Sequence, residues 1–263
     1  MAGERIELPT LNNARDLGGY SSGAHIIKTK RLIRSGALSN LSQHDAQILQ
    51  RDYALRTVVD FRTDKEREER PDVMIQGVRY IHLPVLNEEV LGITREREQE
   101  SRIPERLLQD GGEAYMERMY AMLMRNPQSL EHYGEFFDIL LEQKEGAILW
   151  HCAAGKDRAG IATALVLSAL GVEQETVKAD YLLTNTYLRP VMEGFLARIP
   201  PEHTALANYV RNTLSAKESY FNAAVQAAAE QSGSMDAFLE QKLGLSAEKR
   251  KSLRENYLGN RLV

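Results

Sequence analysis

The strongest constraint on the fold is the loop of residues 151–160, which lies between an apolar strand pattern and an apolar helix pattern. The strand pattern covers residues 147–150, and the helix pattern covers residues 161–170. A strand, a tight glycine-bearing turn and a helix N-terminus together aim backbone N–H groups at one point, which makes a cradle for an anion. The sequence therefore predicts an anion site at the end of a buried strand.

The side chains of this loop supply a nucleophile and two positive charges. Cys152, the only cysteine in the chain, is separated by five residues from Arg158, whose planar guanidinium can hold two phosphate oxygens at once. Lys156 adds a mobile positive charge near the mouth, and the combined field favours the nucleophilic thiolate over the thiol. This predicts covalent catalysis through a phosphocysteine that water then hydrolyses. The loop backbone is expected to bind the phosphate at Ala153, Ala154 and Gly155.

A phosphoester leaving group needs a proton, and three aspartates are candidates for the general acid. Asp157 lies inside the loop, where Arg158 and the helix N-terminus favour its charged form until a phosphate is bound. Asp60 ends a buried strand pattern, and ligands of parallel α/β sheets lie at the carboxyl ends of strands. Asp110 stands beside two glycines in the least regular part of the chain. The sequence leaves all three open.

Composition disfavours several other kinds of protein. The 33 basic and 37 acidic residues give a formal net charge of −4, which argues against nucleic-acid binding. A single cysteine excludes an internal disulfide and a cysteine-built zinc site, and the six histidines lack the spacing of metal ligands. Neither a metal nor a cofactor is therefore expected. Because no apolar run indicates a signal peptide or a membrane span, we expect a cytoplasmic protein, with secretion that needs no signal peptide left open.

Hydrophobic periodicity predicts strands mainly in the first half of the chain and helices in the second. Ser42 is expected to cap a helix through Leu49, with Asp45 in the position of a capping-box acid. Strands are expected at residues 25–27, 31–33, 57–61, 78–83 and 147–150. Further helices are expected at residues 114–124, 135–142, 161–170, 173–186, 187–198, 203–215, 217–231, 235–243 and 246–257. These patterns favour an α/β fold with helical additions.

The loop reads His-Cys-x-x-Gly-Lys-Asp-Arg-x-Gly and resembles the signature of the cysteine-dependent phosphatases. The full form is similar to that of atypical bacterial tyrosine phosphatases that also act on phosphoinositides. Several other stretches are similar to motifs of the same family, so that the resemblance covers nearly the whole chain. They are Asn12-x-x-Arg15-Asp16-Leu17-Gly18-Gly19-Tyr20, Arg34-Ser35-Gly36-Ala37-Leu38, Val58-Val59-Asp60-Phe61-Arg62 with Glu66 and Pro71-Asp72, Tyr220-Phe221, and Leu243-Gly244-Leu245.

The resemblance implies a protein-tyrosine-phosphatase-like α/β fold, with a central, mostly parallel sheet of four or five strands flanked by helices. We expect a single phosphatase domain over residues 1–263. Within it, residues 87–124 are expected to form a helical lid or insertion, and residues 173–263 a helical part packed on the core. Within residues 114–124, apolar side chains have helical spacing, which favours core packing over a flexible, substrate-facing surface; they are Met116, Met119, Tyr120, Leu123 and Met124.

The resemblance also implies roles for single residues. It implies Cys152 as the nucleophile, Arg158 as the phosphate clamp and Asp157 as the general acid. Lys156 matches a lysine that meets additional phosphates in phosphoinositide-specific relatives. The expected substrate is a phosphotyrosine protein, with phosphoserine, phosphothreonine or phosphoinositides as further substrates. Four charged residues of the matching motifs are expected either to line the site or to form ordinary salt bridges between loops: Arg15, Asp16, Arg34 and Arg62. Asp60 is expected to contact the substrate.

One position departs from the family's pattern. The residue after the arginine is usually a serine or threonine whose hydroxyl supports the thiolate, and here it is Ala159. Without that donor the sulfur is a poorer leaving group, so we expect slow breakdown of the phosphocysteine. The alternative function is a catalytically weak, phosphatase-like module that binds phosphate groups without turnover.

Overall fold

The computed structural model describes residues 3–86, 108 and 111–260 of the chain. Nine strands lie within these residues, and each of the longer ones is rich in apolar side chains. They are β1 (Glu4–Arg5), β2 (Arg15–Asp16), β3 (Ser21–Ser22), β4 (His25–Ile27), β5 (Leu32–Ser35), β6 (Leu55–Asp60), β7 (Arg79–His82), β8 (Ala147–His151) and β9 (Leu258–Asn260).

A six-stranded sheet in the order β1-β2-β5-β8-β6-β7 forms the centre of the protein. Its strands β5, β8, β6 and β7 pair in parallel, whereas β2 and β1 continue the sheet in antiparallel pairs. The expected mostly parallel sheet is confirmed, and two strands too short to give a periodic pattern extend it at one edge. Strands β3, β4 and β9 form a separate small sheet.

Both faces of the parallel strands are covered. All of β8 and the last four residues of β6 are buried. Ile148 and Trp150 belong to one apolar cluster, whereas Leu149 belongs to a second. Because successive side chains of a strand point to opposite faces, these two clusters lie on the two sides of the sheet. The nearly continuous apolar sequence of these strands is typical of this arrangement.

Eleven α-helices flank the sheets within the described residues. They are α1 (Gln43–Tyr53), α2 (Asp64–Glu69), α3 (Glu113–Leu123), α4 (Pro127–Glu142), α5 (Arg158–Leu170), α6 (Gln174–Tyr187), α7 (Arg189–Leu196), α8 (Thr204–Leu214), α9 (Glu218–Ser232), α10 (Met235–Gln241) and α11 (Ala247–Tyr257). The six helices predicted after Gly171 are thus confirmed with small shifts at their ends.

Helix α5 follows the loop and is buried nearly all round, as its apolar sequence predicts. Ser168 is the one residue of α5 that is not buried. The helix begins at Arg158, three residues before the apolar pattern, because the last part of the loop already has helical geometry. The first turn of α5, with its unpaired N–H groups, is therefore part of the loop.

The N-terminal ends of two helices differ from their sequence predictions, one in where the helix starts and the other in the role of a capping residue. Helix α4 begins at Pro127, well before residue 135, because the side chain of Asn126 caps it and proline suits the first turn. At α1, Ser42 caps the Asp45 N–H as predicted, but the Asp45 carboxylate accepts hydrogen bonds from the backbone and side chain of Thr10. The capping-box role predicted for Asp45 is wrong, because a partner distant in sequence takes its carboxylate.

Part of the predicted lid or insertion, residues 87–124, lies outside the described residues, namely 87–107 and 109–110. The rest includes α3, in which Met116, Met119 and Leu123 are buried in the larger apolar cluster. The core packing predicted for these methionines is confirmed. No helix among the described residues is long and apolar enough to cross a lipid bilayer.

Candidate active site

The loop of residues 151–160 lies at the carboxyl edge of the parallel strands, where β8 ends between β5 and β6. Cys152 directly follows β8 and is 1% exposed. Gly155 has a φ of +68°, and a Cβ at this position would lie 2.2 Å from the Ser35 carbonyl oxygen. Glycine is therefore needed for the loop to turn so close to β5.

The carbonyl groups of the loop are held from one side. Asn13 Nδ2 donates to the carbonyl oxygens of Ala154 and Gly155 at 3.1 and 3.0 Å. Arg34 Nη2 donates to the carbonyl oxygen of Gly155 at 2.7 Å. In a trans peptide the C=O and N–H groups point in opposite directions, so the N–H groups that follow these carbonyls face the other side of the loop. They remain as donors for an anion.

Arg158 is fixed by a two-point ion pair. Its Nη1 and Nη2 lie 2.5 and 2.8 Å from the two carboxylate oxygens of Glu66. Glu66 belongs to α2, where it also completes a capping box with Thr63. Although burial opposes both charges, this ion pair raises the pKa of Arg158 above its ordinary value and holds the pKa of Glu66 below its own. The guanidinium is thus charged and oriented before any substrate binds.

Arg15 and Arg34 lie behind the loop and share one carboxylate. Each contacts Asp180 of α6 at 3.0 Å, and Arg15 Nη1 donates to Asn13 Oδ1 at 2.6 Å. Although burial opposes ionisation, the two guanidinium charges hold the pKa of Asp180 below its ordinary value. Burial and the adjacent Arg15 charge lower the pKa of Arg34 to about 10. Both arginines therefore form salt bridges, the second of the two roles expected for them, and they support the back of the loop.

Asp60 and Arg62 form a second buried ionic group with Asp72 and His151. Arg62 Nη2 lies 2.7 Å from Asp60 Oδ2 and 2.9 Å from Asp72 Oδ2. Against the effect of burial, the charges of His151 and Arg62 hold the pKa of Asp60 below its ordinary value, so this carboxylate is poorly suited to donate a proton. His151 Nδ1 lies 3.3 Å from the Cys152 carbonyl oxygen, which orders the start of the loop.

The same group has the composition of a small cation site. Ligand atoms of Asp60, Asp72 and His151 lie within 4.8 Å of one another. Arg62, however, bridges the two carboxylates and already supplies positive charge between them. A metal ion at this place would have to displace the guanidinium.

Asp157 is the predicted acid that lies in the loop itself, and its side chain is 24% exposed. Its Oδ1 accepts hydrogen bonds from Lys156 Nζ at 2.5 Å and from the Tyr120 hydroxyl at 2.7 Å. Lys156 is 1% exposed, and its Nζ also lies 5.8 Å from the centre of the Tyr120 ring. The description of Lys156 as a mobile charge is therefore wrong, because the acid and the ring hold it. Asp110, the third candidate, lies outside the described residues.

Two further predicted residues have structural surroundings. Asp16 accepts hydrogen bonds from two backbone N–H groups of the nearby chain, which orders a turn. Ala159 is fully buried in the first turn of α5. The next hydroxyl along α5, that of Thr163, donates to the Ala159 carbonyl oxygen at 2.8 Å. This hydroxyl is engaged within its own helix, so it does not supply the donor that is missing at position 159.

Sequence reasoning did not identify the residues that hold the charged groups in place. Glu66 lies in a motif of the family, but nothing in the sequence pairs it with Arg158. Asp180 and Tyr120 lie in helices whose pattern indicates ordinary packing. Asn13 lies inside the motif Asn12-x-x-Arg15, at a position that the motif leaves unspecified, and this position is the one signal that pointed to it.

The comparisons with known proteins agree on one family. The sequence model of the tyrosine phosphatase family matches residues 6–259, a stretch that contains every residue of the site described above. A Cupriavidus necator protein, provisionally named a tyrosine-protein phosphatase, is 31% identical over 256 residues, which cover 96% of this chain and 88% of that protein. The triple specificity protein phosphatase PtpB of Mycobacterium tuberculosis is 25% identical over 259 residues, which cover 89% of this chain and 92% of that protein. A tyrosine-protein phosphatase of Nostoc commune is 26% identical over 167 residues, which cover 63% of this chain and 52% of that protein.

Proposed function

Because the chain belongs to the tyrosine phosphatase family, we propose that it hydrolyses phosphotyrosine in proteins with Cys152 as the nucleophile. The loop carries this proposal. A buried cysteine follows β8, and Arg158 is fixed by Glu66. The loop carbonyl group of Gly155 accepts hydrogen bonds from Asn13 and Arg34 on one side of the loop. A phosphoryl group at the N-terminus of α5 would meet oriented N–H groups and an oriented guanidinium, which stabilise charge without rearrangement.

In the first step, the Cys152 thiolate attacks phosphorus. Its electron pair forms the S–P bond while the P–O bond to the tyrosyl oxygen breaks and leaves its electron pair on that oxygen. Asp157 gives its carboxyl proton to the leaving oxygen. The step yields an unphosphorylated tyrosine residue in the substrate protein, phosphocysteine and a carboxylate at Asp157.

In the second step, water attacks the phosphocysteine. The Asp157 carboxylate takes a proton from this water as its oxygen bonds to phosphorus, and the S–P bond breaks with its electron pair on sulfur. Inorganic phosphate leaves, and the thiolate and the protonated acid are restored. Because position 159 lacks a hydroxyl to support the departing sulfur, this step is expected to limit turnover.

Phosphoserine, phosphothreonine and phosphoinositides are further proposed substrates. The position of Lys156 in the loop supports phosphoinositides, since a lysine can bind an additional phosphate as a point charge. Its contacts with Asp157 and Tyr120 would have to break for it to do so. Phosphotyrosine needs no such change, and it is therefore the substrate that the geometry favours.

Ala159 motivates the second candidate function, a module that binds phosphorylated partners without turnover. The two functions differ in a direct measurement. The purified protein should release phosphate from a phosphotyrosine peptide, and Cys152→Ser should lower this rate at least about a thousandfold. The variant should still bind the peptide, because serine leaves the loop backbone and Arg158 in place.

Activity that survives in Cys152→Ser would contradict the proposed mechanism. Tight peptide binding by the wild type without any phosphate release would instead favour the binding module. Circular dichroism of both proteins is the control that the substitution has not disturbed the fold.

A further inference from the structure

We propose that Tyr120 is a positioning residue for the general acid, Asp157. The Tyr120 hydroxyl fixes Asp157 Oδ1 as the accepting oxygen, and the transferable proton is therefore placed on Oδ2. The inference rests on the proposed function and concerns how Asp157 acts in it. Its basis is a chain of hydrogen bonds whose direction the structure determines.

The chain begins at Tyr181 and ends at Asp157. The Tyr181 hydroxyl donates to the Tyr120 hydroxyl at 2.7 Å, and this in turn donates to Asp157 Oδ1 at 2.7 Å. A carboxylate can only accept, and each hydroxyl has a single proton to give. Tyr120 therefore gives its proton to Asp157 and accepts the one from Tyr181, so both bonds point toward the carboxyl group.

Both tyrosines are held in place by packing. Tyr120 and Tyr181 are 0% and 1% exposed, and their rings meet edge to face at 5.8 Å. Burial and the nearby charge of Asp157 raise the pKa of both phenols above its ordinary value. The two hydroxyls consequently keep their protons and act as fixed donors.

Two donors meet on one oxygen of Asp157, since Lys156 Nζ also donates to Oδ1. A protonated carboxyl group has one oxygen that only accepts and one that carries the proton. Oδ1 is occupied as the acceptor, so the proton belongs on Oδ2. Tyr120 and Lys156 are buried and both contact Oδ1, whereas the Asp157 side chain as a whole is 24% exposed, so we place the approach of the leaving oxygen at Oδ2.

The same donors matter again as the proton leaves. Negative charge then develops on the carboxyl group of Asp157, and the Tyr120 hydroxyl is already aimed at it. Removal of this hydroxyl should slow only those reactions in which the leaving oxygen must take up a proton. The effect should therefore depend on the leaving group.

The test compares kcat/KM for phenyl phosphate, a poor leaving group, and 4-nitrophenyl phosphate, a good one. This parameter reports the steps up to formation of the phosphocysteine, even when its hydrolysis limits turnover. Tyr120→Phe should lower kcat/KM about tenfold for phenyl phosphate and less than about twofold for 4-nitrophenyl phosphate. Asp157→Asn should show the same pattern with a larger loss, about a hundredfold. In the Asp157→Asn background, Tyr120→Phe should have no further effect.

Tyr220→Phe is the matched control. This buried tyrosine lies 5.7 Å from the Tyr120 ring, but its hydroxyl donates to the Asn212 carbonyl oxygen. The variant should leave kcat/KM unchanged for both substrates. If Tyr120→Phe does not fold, Tyr181→Phe provides the same comparison, because it removes the donor that directs Tyr120.

Equal losses for the two substrates, or losses that add to those of Asp157→Asn, would overturn the inference. The proposed function would fail in a different way. The wild type would then release no phosphate from either substrate, or Cys152→Ser would remain active.

Discussion

Asp157, Asp60 and Asp180 carry the same side chain in three different environments. Asp180 lies between two guanidinium groups, and Asp60 accepts from Arg62 with both of its oxygens. Both carboxylates are therefore held in the charged form. Asp157 has donors on Oδ1 and is partly exposed, so one of its oxygens remains for a proton. This contrast, which only neighbouring groups create, supports our proposal that Asp157, and not Asp60, is the general acid.

The residue that limits speed is expected to be Ala159. In the wild type, rapid-quench measurements with 4-nitrophenyl phosphate should show a burst of nitrophenol followed by a slower steady rate. Ala159→Ser restores a hydroxyl that supports the departing sulfur, and it should raise the steady rate about tenfold, the effect of one hydrogen bond to a charged group. The burst should shrink accordingly.

Ala169→Ser is the control for this substitution, because it adds the same hydroxyl to a buried position at the far end of α5. It should leave the burst and the steady rate unchanged. A wild type without any burst would show that formation of the phosphocysteine, and not its hydrolysis, is slow.

At the scale of elements, α2 couples its own cap to Arg158, the proposed phosphate clamp. Thr63 accepts from the Glu66 N–H, while the Glu66 carboxylate returns to the Thr63 N–H and also holds Arg158. Thr63→Ala should lower the free energy of unfolding by about 1 kcal/mol, as for other N-caps. It should also lower kcat/KM about fivefold, because a small displacement of Arg158 misaligns the phosphoryl group.

Ser42→Ala separates the two effects. The Ser42 hydroxyl caps α1 as the Thr63 hydroxyl caps α2, but no carboxylate of α1 holds Arg158. We expect a similar loss of stability, about 1 kcal/mol, with kcat/KM unchanged. The measurements are urea unfolding and steady-state kinetics of both variants. Equal activity of the two variants would show that the cap of α2 does not position the clamp.

At the scale of the whole molecule, one carboxylate joins distant parts of the chain. Arg15 and Asp180 are 165 residues apart in sequence, and Arg34 of β5 meets the same carboxylate. Asp180→Asn would leave two buried guanidinium groups without their counter-charge. The free energy of unfolding at pH 7 should fall by about 3–5 kcal/mol. Urea unfolding followed by Trp150 fluorescence measures this loss.

The same substitution predicts a change in pH dependence. Because the folded-state pKa of Asp180 is lowered, its stabilisation is present above its unfolded value of about 3.9 and is lost as the pH falls through the folded value. Between pH 5 and pH 3, roughly, wild-type stability should fall more steeply than that of Asp180→Asn. Asp236→Asn, which breaks an exposed ion pair with Arg250, should match the wild type in both measurements. Parallel slopes for wild type and Asp180→Asn would contradict this assignment.

Apolar runs predicted the most deeply buried elements, because an element covered on all sides needs apolar residues at nearly every position. The apolar runs of β6 and β8 and the all-round apolar helix α5 are examples. Strands β1 and β2 have two residues each and show no such pattern, so only the pairing of β2 with β5 and of β1 with β2 reveals them. The early start of α4 depends on the cap at Asn126, which periodicity does not report.

The sequence alone determined that a lone cysteine and an arginine lie in a strand–loop–helix unit, because short spacing within one loop fixes their relative placement. It also supplied the family motifs and the missing hydroxyl at Ala159. Tertiary structure decided which charges act together. Glu66 with Arg158, Asp180 with Arg15, and Tyr120 with Asp157 are pairs between different elements. The separation of two residues in the sequence does not predict such pairs. The Coulomb and hydrogen-bond energies that give each group its role depend instead on spatial separations of a few ångströms.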